Sequence, residues 1–415
     1  MSSRDNLFGV VPEDWTVTSI GNIAELRQGL QISKDLRTDN LKPGYMPLLK
    51  ITDLPKREFS EFVKDIKEQY VATKDDIIYT RTGQVGLVYT DISGCVHNNC
   101  FKVIVDYDKF DKYFLYYFLK SDFVYKYSNS VASGSVQKDL KHSAFKSCPI
   151  AYPKVEEQKA IGNILSTLDK KIEVNNQINK KLEEMTQAIF KQWFVDFDFP
   201  NEEGEPYKSS GGEMVESELG MIPKGWEVKA LDDIADYLNG IAMQKFRPKE
   251  NEHSYPVLKI KELRQGFTDE SSDLCSESID AKYIVNDGDL IFSWSGSLLL
   301  DIWAGGKCGL NQHLFKVNPK TYDKWFCILW LDYYLENFKR IAESKATTMG
   351  HIKRKDLSDS KVLIPNDRLY KKLNVMIKPL YEEITNLKIE SKRLIKVRDT
   401  LLPRLMSGEI RVPLD

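Results

Sequence analysis

Long apolar runs are missing from this sequence. No stretch approaches the roughly 18 uninterrupted apolar residues that a membrane-spanning helix requires. Residues 1–8 are polar and lack the apolar core of a secretory signal peptide. We therefore expect a cytoplasmic protein that makes no contact with a membrane.

Cysteine and histidine are scarce and scattered. The six cysteines form no CxxC motif, and the five histidines show no spacing typical of a shared site. Cys95, His97 and Cys100 resemble half of a metal site, but a second pair at ligand spacing is missing. The sequence thus predicts no metal site, and its isolated thiols are typical of a reducing compartment.

Signatures of catalysis are also missing. Residues 305–308 (GGKC) lack the earlier glycine and the final Ser or Thr of a phosphate-binding loop. No GxGxxG follows a predicted strand, and residues 318–321 (NPKT) lack the second proline and the aromatic residue of an adenine methyltransferase motif. HExxH and GxSxG are absent as well. We expect a chain that is not an enzyme by itself and binds no cofactor.

An excess of positive charge is absent too. Lys and Arg number 59 against 61 Asp and Glu, which gives a net charge of −2. This balance excludes nucleic-acid binding through overall charge but is compatible with a local basic cleft. A length of 415 residues, with 42% hydrophobic and 29% charged residues, is typical of a globular protein of two or three domains.

What the sequence does contain is one long internal repeat. Residues 12–15 (PEDW) recur as 223–226 (PKGW), and residues 76–83 (DIIYTRTG) recur as 289–296 (DLIFSWSG). The offset of about 211 residues is far longer than the period of about 20–50 residues in solenoid proteins. The repeat predicts two copies of one domain, and such a pair suits a target that also has two parts.

Each copy reads as a mixture of strands and helices. Residues 76–79 and 101–105 are rich in β-branched and aromatic side chains, which predicts strands. Residues 113–120 are aromatic at most positions and predict either a buried helix or a strand.

A long helical pattern follows each copy, with apolar residues in alternating steps of four and three. Because the two series share one heptad phase, they predict two helices packed along a common seam, interrupted by the polar residues Asn175, Asn179 and Thr186. The alternative is that each helix only covers its own domain. The predicted seam consists of Ile161, Leu165, Leu168, Ile172, Leu182, Ile189, Trp193 and Phe194 in the first helix and Leu373, Ile377, Leu380, Ile384, Leu387, Leu394, Leu401 and Leu405 in the second.

Polar loops lie at matching places in both copies, and their residues are of the types that contact DNA. The alternative is that these residues only form turns. The candidate DNA-contacting residues of the first copy are Gln28, Gln31, Lys34, Arg37, Arg81, Thr82, Gln84, Asn98, Asn99, Ser135, Gln137 and Lys138. Those of the second copy are Gln244, Lys245, Arg247, Ser293, Trp294, Ser297, Gln312, His313, Thr348, His351, Lys353 and Arg354.

The copies are most alike in their framework and most unlike in these loops, which predicts that each reads a different short sequence. Since the first helix leads into the second copy and the second helix returns, we expect the helices to be antiparallel. About 40 helical residues span roughly 60 Å. That length is enough to hold two sites one to two turns of DNA apart, at about 34–36 Å per turn.

Segments at the ends of both helices resemble one family. Residues 189–197 (IFKQWFVDF) close the first helix, and residues 204–209 (GEPYKS) and 220–226 (GMIPKGW) follow it. Residues 401–410 (LLPRLMSGEI) end the second helix. They resemble the specificity subunit of type I restriction-modification systems, and the likeness extends over the whole chain.

The resemblance implies an α+β fold. Two α/β target-recognition domains, related by a pseudo-two-fold axis, would be separated by an antiparallel coiled-coil pair of long helices. The domains would be residues 1–154 and 222–366, the central spacer helix 155–199, an exposed linker 200–221, and the distal spacer helix with the C-terminal tail 367–415.

The resemblance also implies a non-catalytic role in reading double-stranded DNA. Each domain would read one half of a bipartite, asymmetric site. The helices would set the spacing and dock two methyltransferase subunits through the seam residues, and through them the restriction/translocase subunits. Those partners would bind S-adenosyl-methionine, ATP and Mg²⁺. Two alternatives stay open: a scaffold that binds proteins and no DNA, and a nuclease or methyltransferase with unrecognised motifs.

Overall fold

The chain forms two compact units in its computed structural model, which describes residues 11–134, 137–344 and 350–414. One unit comprises Met1–Lys170 with Ile395–Asp415, and the other comprises Lys171–Leu394. Each unit contains one α/β domain and part of both long helices.

Short strands build the first domain. They are β1 (Thr16–Ser19), β2 (Ala24–Gln28), β3 (Met46–Leu49), β4 (Phe62–Val63), β5 (Val71–Ala72), β6 (Ile77–Thr80), β7 (Val88–Tyr89), β8 (Gly94–Val96), β9 (Cys100–Val105) and β10 (Pro149–Tyr152). One sheet runs β2-β9-β6-β7 and is antiparallel, and a second runs β4-β3-β8-β5 with β3 and β8 parallel. β1 and β10 form a separate antiparallel pair.

The pattern of side chains along β6 shows why this strand is buried on both faces. Ile77 and Tyr79 belong to the main core of the domain, whereas Ile78 belongs to a second cluster formed by residues of both sheets. Successive side chains of a strand point to opposite faces, so a strand between two cores is apolar throughout.

Helices α1 (Ile20–Ile23), α2 (Lys112–Lys120), α3 (Asp122–Val131) and α4 (His142–Lys146) complete the first domain. The aromatic segment that predicted either a helix or a strand is α2. Asp111 fixes its start, because the Asp111 carboxylate accepts a 2.9 Å hydrogen bond from the Phe114 backbone. Ser121 ends α2 and caps α3 in the same way.

The first long helix, α5 (Val155–Phe190), is followed by a π-helical turn at Lys191–Val195. The strands after it are β11 (Met214–Ser217), β12 (Gly220–Pro223), β13 (Glu227–Ala230), β14 (Ala235–Asn239), β15 (Ser254–Leu258), β16 (Leu274–Ser276), β17 (Ile284–Val285), β18 (Leu290–Ser293), β19 (Leu300–Ile302), β20 (Cys308–Leu310), β21 (Leu314–Pro319) and β22 (Lys361–Ile364). The helices are α6 (Leu231–Ile234), α7 (Ile260–Gln265), α8 (Lys324–Ser344), α9 (Arg354–Ser358) and the second long helix, α10 (Asp367–Met406).

The second domain repeats the first in topology. Its sheets run β14-β21-β18-β19 and β16-β15-β20-β17, with β15 and β20 parallel, and β13 pairs with β22. Strand order and direction therefore agree with those of the first domain, strand for strand. The internal repeat in the sequence is a duplicated fold.

The long helices run antiparallel. In the first unit Arg398 of α10 donates to Asp169 of α5 at 2.5 Å. In the second unit Asn175 donates to Glu390 at 2.8 Å, and Ile189 packs on the core that contains Leu373 and Ile377. The predicted fold class, two α/β domains with an antiparallel pair of long helices, is confirmed.

The segment predicted as an exposed linker, residues 200–221, is exposed but ordered. The backbone and hydroxyl of Ser209 donate to Asp198 at 2.8 and 2.7 Å, and the Tyr207 ring stacks on Phe199 at 4.6 Å. The antiparallel β11–β12 hairpin begins within the same segment. Its Gly and Ser residues form turns held by local hydrogen bonds.

None of the helices within the described ranges is long and apolar enough to cross a membrane.

Candidate nucleic-acid interface

In each domain, four residues at strand ends and in the adjoining loops lie together at one edge of the sheet, where three neighbouring strands begin or end. In the first domain Gln28 ends β2, Arg81 follows β6, and Asn99 precedes β9, the strand between them. Asp139 joins them because Thr82 and Asp139 form an isolated antiparallel bridge. We call Gln28, Arg81, Asn99 and Asp139 the first frame.

Backbone hydrogen bonds hold the first frame. The Arg81 N–H donates to the Asn99 carbonyl at 2.8 Å, and the Leu140 N–H donates to the Arg81 carbonyl at 2.9 Å. The Gly83 N–H donates to the Lys138 carbonyl at 2.9 Å. Gly83 has φ +78°, a left-handed conformation that favours glycine, which accounts for the glycine directly after the strand.

The second domain repeats these bonds with different side chains. Trp294 donates through its backbone to His313 at 3.4 Å, Ile352 donates to Trp294 at 3.0 Å, and Gly296 donates to the Gly350 carbonyl at 2.9 Å. His351 forms the bridge, here with Ser295. The equivalent residues Asn239, Trp294, His313 and His351 are the second frame.

The side chains of the first frame form a charged array. The Asp139 Oδ1 accepts from Arg81 Nε at 3.1 Å and from Arg81 Nη2 at 2.5 Å. It also accepts from the Thr82 hydroxyl at 3.1 Å. Arg81 Nη1 donates to Gln28 Oε1 at 2.8 Å. The guanidinium is thereby held from two sides while its side chain stays 23% exposed.

The side chains of the second frame form an aromatic array. The Trp294 indole N–H donates to Asn239 Oδ1 at 2.9 Å. The Trp294 ring lies 6.0 Å from the His313 ring and 6.3 Å from the His351 ring. The Ser295 hydroxyl and His313 Nδ1 are hydrogen-bonded at 3.0 Å.

Two half-buried histidines flank the first frame. Burial, followed by the positive charge of Arg81, lowers the pKa of His142. Burial, followed by the charges of Arg37 and Lys50, lowers the pKa of His97. Both shifts favour neutral imidazoles at pH 7, so the cationic group of this edge is Arg81.

The other predicted residues of the first domain differ in their exposure and in the hydrogen bonds of their side chains. Arg37 is engaged, because its guanidinium donates to Glu61 at 2.9 Å and to the Ile32 carbonyl, and its side chain is only 13% exposed. Lys138 donates to Asn129 Oδ1 at 2.9 Å. Asn98 is half-buried, and its Oδ1 has no hydrogen-bond partner among the described residues. The exposed candidates are Gln31, Lys34, Gln84, Gln137 and Lys138.

The predicted residues of the second domain differ in the same way. Ser293 is fully buried and donates to the Ser297 carbonyl at 2.8 Å, so it shapes the turn. Arg354 donates to the Tyr237 carbonyl at 3.0 Å and lies over the Phe315 ring. Gln312 and His313 are half-buried, and Arg264 donates to the Ser297 hydroxyl. The exposed candidates are Gln244, Lys245, Arg247, Ser297, Lys353 and Arg354.

Two predicted residues, Ser135 and Thr348, lie outside the described residues. The prediction omitted Asp139, Asn239 and Ser295, which the structure brings into or beside the frames. The internal repeat could have identified Asn239 and Ser295, because they are the counterparts of the predicted residues Gln28 and Thr82. Asp139 gave no signal, because its partner Arg81 is 58 residues away.

The predicted seam residues are buried or half-buried within the two units. Ile161, Leu165 and Leu405 lie in the core of the first unit, and Leu373 and Ile377 lie in that of the second. Polar residues share this burial: Asn175, Asn179, Thr186 and Ser391 are at most 6% exposed.

Trp193 and Phe194, predicted as part of the seam and its docking surface, lie in the core of the second domain. Phe194 packs against Trp226 at 5.4 Å and Trp330 at 5.7 Å between ring centroids. Both side chains are at most 4% exposed, so a partner subunit has no access to them. Both residues lie in the π-helical turn that follows α5.

No group of three His, Cys, Asp or Glu side chains in the described ranges is arranged to hold a metal ion. The six cysteines are free and buried.

Residues 12–184 and 223–392 match the profile of a family described as the type I restriction modification DNA specificity domain. The chain belongs to the family of type I restriction-modification specificity subunits. This family is non-catalytic within type I restriction-modification complexes. Each matched range covers one copy of the fold and most of the long helix that follows it.

Individual relatives agree with this assignment. The specificity subunit is 30% identical to the MjaIX specificity subunit of Methanocaldococcus jannaschii, and the match covers 99% of this chain and 96% of the relative. It is 25% identical to the HindI specificity subunit of Haemophilus influenzae, over 84% and 90% of the two chains. Its fold is similar to that of a crystal structure of an S subunit from M. genitalium, with a TM-score of 0.60, 17% identity and 98% coverage of both chains.

Proposed function

We propose that this specificity subunit reads a bipartite, asymmetric site on double-stranded DNA, one half with each domain. The observation that supports this most directly is the pair of frames. One set of backbone hydrogen bonds presents an ion pair in the first domain and an aromatic array in the second. Equal backbones with unequal side chains are what reading two different half-sites requires, because base edges are distinguished by their donors, acceptors and methyl groups.

We further propose that the long helices set the distance between the half-sites and dock two methyltransferase subunits, which in turn carry the restriction/translocase subunits. The seam residues are covered by the chain itself, so docking falls to the outer faces of the helices. In the second unit α5 exposes Val174, Ile178 and Met185 by 48%, 40% and 52%. Apolar side chains four and seven residues apart on one exposed face are a surface that a protein partner can cover.

In this arrangement the chain itself binds no cofactor. S-adenosyl-methionine, ATP and Mg²⁺ belong to the partner subunits, which methylate or cleave the DNA, and the complex acts on DNA in the cytoplasm. The specificity subunit contributes the choice of sequence.

The proposal is tested by mapping methylated adenines in a host that carries the complete system, before and after deletion of the gene for this chain. We expect a split adenine motif in the parent that disappears on deletion and returns on complementation. A host in which the methylated motifs are the same in all three strains would show that this chain selects no DNA sequence.

A further inference from the structure

The first frame contains an ion pair at positions where the second frame has two aromatic rings. Arg81 and Asp139 correspond to Trp294 and His351 through matching backbone hydrogen bonds. A guanidinium and a carboxylate therefore occupy the positions that an indole and an imidazole occupy in the second frame. Arg81 and Asp139 are in direct contact, so the orientation of Arg81 depends on Asp139.

Asp139 and Gln28 fix the plane of the Arg81 guanidinium. Two nitrogen atoms of Arg81 donate to one oxygen of Asp139, and the third nitrogen donates to Gln28 Oε1. Gln28 is itself held, since its amide nitrogen donates to the Cys100 carbonyl at 3.3 Å and to the Asn98 carbonyl. An arginine held from both sides loses little conformational entropy when it meets a ligand.

We propose that Asp139 is a positioning residue that aims Arg81 at one guanine of the first half-site, an inference that rests on the proposed function. Arg carries five N–H donors, and three of them are committed to described residues of the frame. The two N–H donors that remain match the two acceptors, O6 and N7, that guanine presents in the major groove.

The charge of the pair favours a base edge over a phosphate. The Asp139 carboxylate offsets the positive charge of Arg81, and an ion pair without net charge releases few counterions on binding to DNA. What Arg81 contributes is the direction of its remaining N–H donors. The direction of donors is what distinguishes one base edge from another. In the second frame the indole N–H is already bonded to Asn239, so that position contacts DNA through an aromatic surface.

The experiment uses the complex of the specificity subunit with its methyltransferase subunits. Binding is measured for the mapped duplex and for duplexes with one base pair changed, at several KCl concentrations. Arg81→Gln and Asp139→Ala should both lose discrimination at the same single G·C pair of one half-site, by about fivefold to 100-fold. The preference at every other position should stay as in the wild type. The slope of log K against log [KCl] should stay as in the wild type for Arg81→Gln and become no shallower for Asp139→Ala, which leaves an unpaired cation.

Arg27→Gln is the matched control, because Arg27 precedes Gln28 on β2 but pairs with Glu25 and is 45% exposed. It should leave discrimination at all positions unchanged. Rescue of Asp139→Ala by Asp139→Glu separates positioning from folding, and recovery of the intact complex is checked for each variant.

Two outcomes would overturn the inference. One is unchanged discrimination in Arg81→Gln. The other is an equal loss of affinity for every duplex with a salt slope shallower by about 0.9, which marks a lost phosphate contact. A wild-type complex without any sequence preference would instead contradict the proposed function itself.

Discussion

Arg411, near the end of the chain, joins two distant carboxylates within the first unit. Its guanidinium donates to both oxygens of Asp14, at 3.0 and 2.7 Å, and to both oxygens of Glu157, at 2.7 and 2.8 Å. The hydrogen bond from Arg411 is the main cause that lowers the pKa of Asp14. Glu157 is only 4% exposed, so its carboxylate depends on Arg411 for compensation.

Arg411→Ala is expected to destabilise the first unit by about 1–3 kcal/mol, because it leaves a buried acceptor without its donor. Thermal unfolding of the purified chain measures this as a lower midpoint. Arg404→Ala is the control: Arg404 pairs with Glu409, which is 58% exposed, and exposed pairs contribute about 0–1 kcal/mol. Equal shifts for the two variants would contradict this account of Glu157.

Arg37 and Arg81 illustrate at the same scale why residue type alone predicts a DNA contact poorly. Arg37 donates hydrogen bonds to Glu61 and to the Ile32 carbonyl, and its side chain is little exposed. The Arg81 side chain is more exposed, and some of its N–H donors stay unbonded within the frame. Both are arginines in polar loops of the sequence. Only the position of the distant acidic partner distinguishes a structural arginine from one that can face a ligand.

At the scale of elements, one carboxylate connects three helices of the first unit. Asp169 of α5 accepts from Tyr117 of α2 at 2.8 Å and from Arg398 of α10 at 2.5 Å. Lys120 of α2 lies 3.6 Å from the same carboxylate. Burial by itself raises the pKa of Asp169, but the charge of Lys120 and the hydrogen bonds from Arg398 and Tyr117 outweigh it, so the pKa is lowered.

Asp169→Asn should lower the free energy of unfolding at pH 7 by about 1.5–3 kcal/mol, the range for hydrogen bonds to charged groups. A carboxyl whose pKa is lower in the folded than in the unfolded state stabilises fully above its unfolded value of about 3.9. That contribution is lost as the pH falls through the folded value. Urea unfolding from about pH 5 to about pH 2 should therefore bring variant and wild type together.

Asp122→Asn is the matched control on α3, because Asp122 is 73% exposed and its ion-pair partner, Lys126, lies four residues on and is exposed as well. Its difference from the wild type should be small at every pH. A difference between Asp169→Asn and the wild type that persists at the acid end would show that Asp169 acts through packing and not through its charge.

The frames allow a second test between elements. Replacing Asn239→Gln, Trp294→Arg and His351→Asp together places the first-frame side chains on the second backbone. We expect the second half-site to acquire a preference for guanine at one position, measured by binding of the complex to a library of duplexes.

Trp294→Arg alone is the control for this graft, since without Asp139-like support the guanidinium is not aimed. It should gain affinity for all duplexes without a matching gain in selectivity, because an unpaired cation adds a phosphate contact. A graft as unselective as the single variant would count against equivalence of the frames.

At the scale of the whole molecule, the duplicated fold forms two units, each with its own core and its own share of both long helices. The matched family ranges end within those helices. Exchange of one domain should therefore leave the other domain and its half-site intact.

Replacing residues 223–365 with the corresponding segment of a specificity subunit that has another target should change one half of the methylated motif and preserve the other half. The reciprocal replacement of residues 12–153 is the control and should change the opposite half. Methylome sequencing reads both outcomes. An unchanged motif in both exchanges would favour the alternative of an assembly scaffold that binds no DNA.

Several parts of the fold followed from the sequence because they depend on local periodicity or on the repeat itself. The strands β6 and β9, the two long helices and the duplication were predicted from β-branched runs, heptad spacing and matching segments. Residues 113–120 stayed ambiguous, since their aromatic side chains are equally compatible with a helix or a strand. The cap from Asp111, which decides for the helix, is visible only as a hydrogen bond.

The sequence by itself determined the two-copy architecture, the family and the chemical types in the loops, because these are properties of residue order. Only the tertiary structure decided which loop residues meet. The pairing of Asp139 with Arg81, the burial of Phe194 against Trp226 and Trp330, and the hydrogen bond from Arg37 to Glu61 all join residues that are distant along the chain. Contacts of that kind depend on how strands and helices pack, and no local pattern in the sequence encodes them.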